Sequence, residues 1–195
     1  MKNSFFITFT FCLFTSVVFT QSPCPAPGQH LKTQAEVTQF GSTYSDCDWI
    51  NGDLIVSGLD ITDLNPLIHF KGINGGLTIL DNPSLLSLEG LDSIEVIEGK
   101  LEISSNGSLE QFSSLNLVSE IKDRLAIFDN PQLTSIDGFQ SLARVRGDVE
   151  ISGNISITGL PGFELLNHID GNLFLFYNPE LSSLTGFNSL ENIGE

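Results

Sequence analysis

Basic residues are scarce. The chain holds eight Lys and Arg against 24 Asp and Glu, for a formal net charge of −16 over 195 residues. A surface of that sign repels phosphate backbones and anionic membranes, which argues against nucleic acid as a partner. Charge of either sign is sparse, at 16% of residues, below the usual quarter. Histidine is limited to His30, His69 and His168. They are far apart in sequence, share no periodic position, and read as solvated loop or turn side chains. No His/Cys cluster has zinc spacing. Asp46 and Asp48 flank Cys47, but two carboxylates do not make a calcium loop. There is no nucleophile elbow and no phosphate-binding Gly loop. No catalytic residue, cofactor or metal site is therefore expected.

Long hydrophobic runs are also missing, apart from one at the start. Lys2 is the only charge before Lys32, and the stretch from Phe5 to Phe19 is mostly apolar. It is too short for a comfortable membrane span, and Val18 and Thr20 suit the small-residue positions of a cleavage site. Residues 1–20 read as a secretory signal peptide. After cleavage no transmembrane segment remains, and the expected location is secreted or cell-surface. Cysteine is limited to three residues. Cys12 leaves with the leader, so Cys24 and Cys47 remain in a chain bound for an oxidising compartment. They read as one disulfide closing an N-terminal loop, with two free buried thiols as the alternative. Such a loop contributes about 3 kcal/mol in the chain-entropy model.

What the chain does have is a repeat. An apolar leader recurs at Leu54, Leu77, Leu101, Leu125, Val149 and Leu173, at spacings of 23 and then 24 residues. Two residues on stand Ile79, Ile103, Ile127, Ile151 and Leu175. Eight on stand Leu85, Leu109, Leu133, Ile157 and Leu181. Offsets 14, 17 and 20 are apolar in the same five coils, for example at Phe139, Leu142 and Val145. A 24-residue unit cannot bury such an inner face alone, but stacked coils can. The leader segment alternates in and out like a strand with one buried face. Strands one coil apart would pair in parallel at about 4.8 Å, giving a rod roughly 30 Å long.

Five residues after each leader stand Asn82, Asn106, Asn130, Asn154 and Asn178. An Asn both donates and accepts, so the column reads as a structural ladder satisfying corner backbone groups. Asn106-Gly107-Ser108 and Asn154-Ile155-Ser156 match the glycosylation sequon, but an inward ladder Asn is a poor acceptor. Leu59 takes the ladder position in the shorter first coil. The Gly before many strands (Gly52, Gly76, Gly99, Gly147, Gly171) fits a corner with an unusual backbone angle. The expected organisation is a signal peptide at 1–20, a cap at 21–51 and a six-coil solenoid at 52–195. A short helix over Leu31 to Phe40 would cover one core end. The stack has no cap at its other end, so a truncated chain is expected there.

The unit Gly76-Leu77-Thr78-Ile79-Leu80-Asp81-Asn82-Pro83-Ser84-Leu85-Leu86-Ser87-Leu88-Glu89-Gly90-Leu91 resembles the receptor L-domain coil, a relative of leucine-rich repeats. The opening, Cys24 through Ile61-Thr62-Asp63-Leu64, is similar to the start of L-domain-like bacterial secreted proteins. The resemblance covers about residues 24–195. It implies an all-β, right-handed parallel β-solenoid with a disulfide-bonded N-terminal cap; right-handedness also follows the general preference of parallel crossovers. It implies binding: protein hormones in animal receptors, and cell-surface roles in fungi and bacteria. No kinase, membrane span or cysteine-rich module accompanies it, so a signalling receptor does not follow.

The outward strand positions offer the candidate site. Leu80, Ser104, Phe128, Ser152 and Phe176 stand three residues after successive leaders, and Phe174 and Tyr177 adjoin Phe176. Pointing outward, Leu80, Phe128, Phe174, Phe176 and Tyr177 would form a ligand-binding surface, because aromatic anchors supply most interface energy. The partner would be an extracellular protein or a glycan. The alternative is a spacer rod within a larger secreted protein. A β-helix enzyme is the weakest reading, since Glu102 and Glu150 are two coils apart, about 10 Å, wide for a carboxylate pair.

Overall fold

The computed structural model describes Cys24 and residues 27–194. The signal-peptide reading of 1–20 lies outside the described residues. The chain is mostly parallel β-structure, wound as a solenoid-like stack of coils. A front sheet joins seven strands: Gln29–Leu31, Leu54–Val56, Leu77–Leu80, Leu101–Ser104, Leu125–Phe128, Val149–Ser152 and Leu173–Phe176. Its register advances by one coil per strand, pairing Leu77 with Leu101, Leu101 with Leu125, and Leu125 with Val149. A back sheet joins seven shorter strands, from Trp49–Asn51 to Asn192–Ile193. On the side between them Gln111–Phe112 pairs with Ser135–Ile136.

The core is a set of stacked columns. Ile79, Ile103, Ile127 and Ile151 form one column, and Ile97, Ile121, Val145 and Ile169 another, all fully buried or nearly so. Eleven residues after each leader, Leu88, Phe112, Ile136 and Leu160 add a further buried column. Phe112, Phe139, Phe163 and Phe187 stack through the middle, with ring centroids 4.9, 5.5 and 5.3 Å apart. Identical apolar positions land on one another, so each coil completes its neighbour's inner face.

The Asn side chains bind coil to coil. The backbone N–H of Asn82 donates to Oδ1 of Asn106 (3.2 Å), that of Asn106 to Asn130 (3.1 Å), that of Asn130 to Asn154 (3.1 Å), and that of Asn154 to Asn178 (3.0 Å). Each Nδ2 reaches back to a strand carbonyl, as from Asn130 to Ile103 at 3.0 Å. Asn82, Asn106, Asn130 and Asn154 are wholly buried. Both sequons therefore carry their Asn inside the fold.

The residue before each ladder Asn makes the turn. Asp81, Ser105, Asp129 and Tyr177 have φ of 54, 55, 53 and 54°, and Gly153 has 66°. This left-handed corner explains the irregular first coil. Gly58, not Leu59, occupies the ladder level, and its N–H donates to Oδ1 of Asn82 at 2.9 Å. Leu59 is 79% exposed. The one-residue deficit removes the left-handed residue itself.

The glycines before the strands serve a different purpose from the expected one. Of those five, only Gly52 has a positive φ, at 71°. Gly99 and Gly147 are needed because a Cβ would stand 2.7 Å from Gly76 N and 2.8 Å from Arg124 N, respectively. Close approach of neighbouring coils, not backbone angle, selects glycine there. At the same corner Asp53 Oδ1 accepts from Gly76 N–H, and Asp148 Oδ1 accepts from Asn172 N–H, both at 2.7 Å. The Asn172 donors hold the Asp148 carboxyl below the usual range.

At the N-terminal end the helix spans Gln34–Thr43, not 31–40, because Gln29–Leu31 is spent as a strand. Thr33 caps it by accepting from Glu36 N–H. Val37 and Phe40 are buried against the core, and Phe40 lies 5.5 Å from Phe70. Cys24 and Cys47 are bonded to each other.

Candidate binding face

Parallel strands with one inward set leave alternate residues of the front sheet pointing outward. One outward row runs Thr78, Glu102, Ala126, Glu150, Phe174. The next runs Leu80, Ser104, Phe128, Ser152, Phe176. Phe174 and Phe176 share a strand and a face, 42% and 44% exposed. Tyr177, 80% exposed, sits at the left-handed corner with its ring 5.4 Å from that of Phe176. A hollow of about 460 Å³ opens beside this pair, lined also by Asn178, Leu181 and Leu184.

The five candidate residues all lie on this face or its corner, but they are not one cluster. Phe174, Phe176 and Tyr177 are contiguous. Phe128 is half-buried and separated from Phe176 by the strand carrying Ser152. Leu80 lies two strands farther still, beyond Ser104.

The carboxylates on the face are already engaged. Glu102 pairs with Lys100 at 2.9 Å and accepts from Ser104 Oγ at 3.3 Å. Glu150 pairs with Arg124 and accepts from Ser152 Oγ at 2.8 Å. Each carboxylate is thus held by one cation and one serine hydroxyl on its own strand. Among the described residues no group of three His, Cys, Asp or Glu could hold a metal.

The back sheet has a different outer surface. Lys122 pairs with Glu98 at 2.7 Å, Arg146 with Glu120 at 2.7 Å, and Arg144 with Asp170 at 2.8 Å. Glu120 raises the Arg146 pKa further. These are exposed, self-neutralising pairs, each worth little. Lys122→Ala is expected to change stability by only about 0.5 kcal/mol, read by urea denaturation. A loss of several kcal/mol would show that the back sheet depends on its charges.

His69 lies in a turn, as expected, whereas His30 and His168 lie on strands, and each of the three is hydrogen-bonded. His168 lies on a back-sheet strand between Asn167 and Asn192, at 2.7 and 3.0 Å. His69 is half-buried, bonded to Tyr44 O at 3.1 Å. His30 lies on the first front strand, 2.8 Å from Ser57 Oγ.

Among the described residues no helix is long and apolar enough to cross a membrane. Residues 93–188 match the family model described as Receptor L domain. That family is one of non-enzymatic binding domains. No curated protein and no solved structure matches the chain. The stacked coils and the Asn-lined corner agree with this match: residues 93–188 are similar to the receptor L domain family.

Proposed function

We propose that the chain is an extracellular or cell-surface binding module whose front sheet is the docking face, with Phe128, Phe174, Phe176 and Tyr177 as anchors and Leu80 at the far edge. The observation that carries this reading is the clustering of exposed rings on one face. Phe174, Phe176 and Tyr177 stand exposed side by side on the front, whereas the back carries three ion pairs and a lone exposed ring, Trp49, on its first strand. A spacer rod would need no such difference. Large exposed rings in a contiguous patch are the usual mark of an interface. The match to the receptor L domain model favours a protein partner over a glycan.

The rest of the reading follows from secretion. Residues 1–20 act as the export signal, and the Cys24–Cys47 bond suits an oxidising compartment. The stack is right-handed, as parallel crossovers prefer. The test is a binding screen of the mature chain from Gln21 against arrayed extracellular proteins and glycans. A Phe128→Ser, Phe174→Ser, Phe176→Ser variant runs beside it, after circular dichroism confirms its fold. Loss of three anchors should weaken binding about a hundredfold or more. Equal binding by both chains would sink the front-face assignment.

A further inference from the structure

The outward side chains of the front sheet repeat every two coils, not every coil. Leu80, Phe128 and Phe176 are 48 residues apart, with Ser104 and Ser152 on the strands between. Ser104 is 2% exposed and Ser152 5%, so they lie low between the larger residues. In the neighbouring row Ala126, 1% exposed, lies between Glu102 and Glu150. The corner residues keep the same period: Asp81 follows Leu80, Asp129 follows Phe128, and Tyr177 follows Phe176. Packing does not force this alternation. Inside the stack Phe139, Phe163 and Phe187 fill one column in consecutive coils. Rings one coil apart are therefore compatible with this fold.

We infer that the front face, read as the docking surface proposed above, takes a polyproline-II peptide lying along the stack, with a basic residue recurring every third position. Two coils at about 4.8 Å set the ridges about 9.6 Å apart. A polyproline-II helix has three residues per turn and rises about 3.1 Å per residue, so one face recurs every ~9.3 Å. The mismatch is about 0.3 Å per ridge. An extended strand presents one face every ~6.8 Å and falls out of step at the second ridge. Two turns of α-helix overshoot by about 1.2 Å per ridge. Polyproline-II segments also dock on aromatic surfaces with little further ordering cost.

The charge fits the same partner. Six ion pairs engage Lys71, Lys100, Lys122, Arg124, Arg144 and Arg146. Asp81 and Asp129 are exposed, and among the described residues neither is in an ion pair. They stand one ridge spacing apart, so a cation every third residue meets one carboxylate at each of the first two ridges. Tyr177 offers a hydroxyl to the peptide's unpaired carbonyls at the third ridge.

The probe is a fluorescein-labelled Pro-Pro-Arg repeat of about nine residues, ~28 Å long, followed by fluorescence anisotropy. Controls are a peptide of the same composition shuffled to break the three-residue period, and a β-glucan oligosaccharide. The parent chain should bind the repeat about tenfold tighter than the shuffled peptide. Phe128→Ser should lose about tenfold, and Ser152→Phe, which fills a low position, should lose a similar factor. If Ser152→Phe does not fold, Phe128→Ser and the shuffled peptide still decide. Equal binding of the two peptides, or no binding of the repeat, overturns the polyproline assignment. Glycan binding that the triple Phe variant abolishes would overturn it too, yet leave the front-face reading standing. Repeat binding that survives the triple variant would overturn both.

Discussion

Asn130→Ala should cost about 4 kcal/mol of folding stability, the larger part of a marginal protein's reserve. The side chain accepts from the backbone N–H and Nδ2 of Asn106, at 3.1 and 3.2 Å. It donates to the carbonyls of Ile103 and Phe128, each at 3.0 Å. Alanine removes all of these bonds at a buried site, and of the groups named the Phe128 carbonyl keeps another donor, Ser105 N–H. Each orphaned buried group costs about 1–3 kcal/mol. Asn178 is only half-buried and serves one neighbouring coil, so Asn178→Ala should cost about 1–2 kcal/mol. Chemical denaturation of both variants checks the difference. Equal, small losses would mean that the ladder is dispensable to the stack.

Gly162→Ala should be as damaging for a steric reason. Thirteen residues after each leader stand Gly90, Ser114, Gly138, Gly162 and Gly186. A Cβ on Gly162 would fall onto the carbonyl oxygen of Gly138 and stand 2.8 Å from that of Ile136. The backbone of the preceding coil would have to move, so the cost should reach about 3 kcal/mol or more. Gly107 is the control. A Cβ there meets nothing closer than Pro83 Cα at 4.0 Å. Gly107→Ala should be neutral or stabilising by about 0.5 kcal/mol, through the unfolded chain. Thermal melts of the two variants separate close approach from flexibility. Ser114 occupies the same column, its Oγ buried with no hydrogen-bond partner among the described residues, and nothing in the structure explains it.

The stack was legible because its physics is one-dimensional. Residues such as Ile79, Ile103 and Ile127 must match their equivalents one coil away, and that demand writes a period into the chain. The front strands follow directly, since leader and second residue point inward. The back sheet was less legible. Its strands are as short as Val96–Ile97, too brief to show an alternation. The inward column at Leu88, Phe112, Ile136 and Leu160 was as periodic as the others, and spacing alone could have found it. The left-handed corner could not be read in the same way. Asp81, Ser105, Asp129, Gly153 and Tyr177 share a backbone conformation but no side-chain chemistry. Leu59 misled for that reason: counting from the leader put it at the Asn level, whereas the first coil omits the corner residue.

The candidate face was legible in part. The sequence placed Phe128, Phe174, Phe176 and Tyr177 near one another by counting along strands. Counting also put Ser152 between Phe128 and Phe176, but it did not show how exposed each ring is, nor that Lys100 and Arg124 engage the intervening carboxylates. Those facts depend on register between coils and on side-chain reach. The paired charges on the back sheet likewise depend on diagonal contacts such as Arg146 with Glu120.

The central claim is that recognition uses the front sheet and not the back. Amide hydrogen exchange tests it most directly, measured on the chain alone and with the partner that the parent retains in the screen. The account predicts slower exchange over Leu125–Phe128 and Leu173–Phe176, continuing to Tyr177, with no change over Arg144–Val145 and His168–Ile169. Protection confined to the back-sheet strands, with the front unchanged, would contradict it.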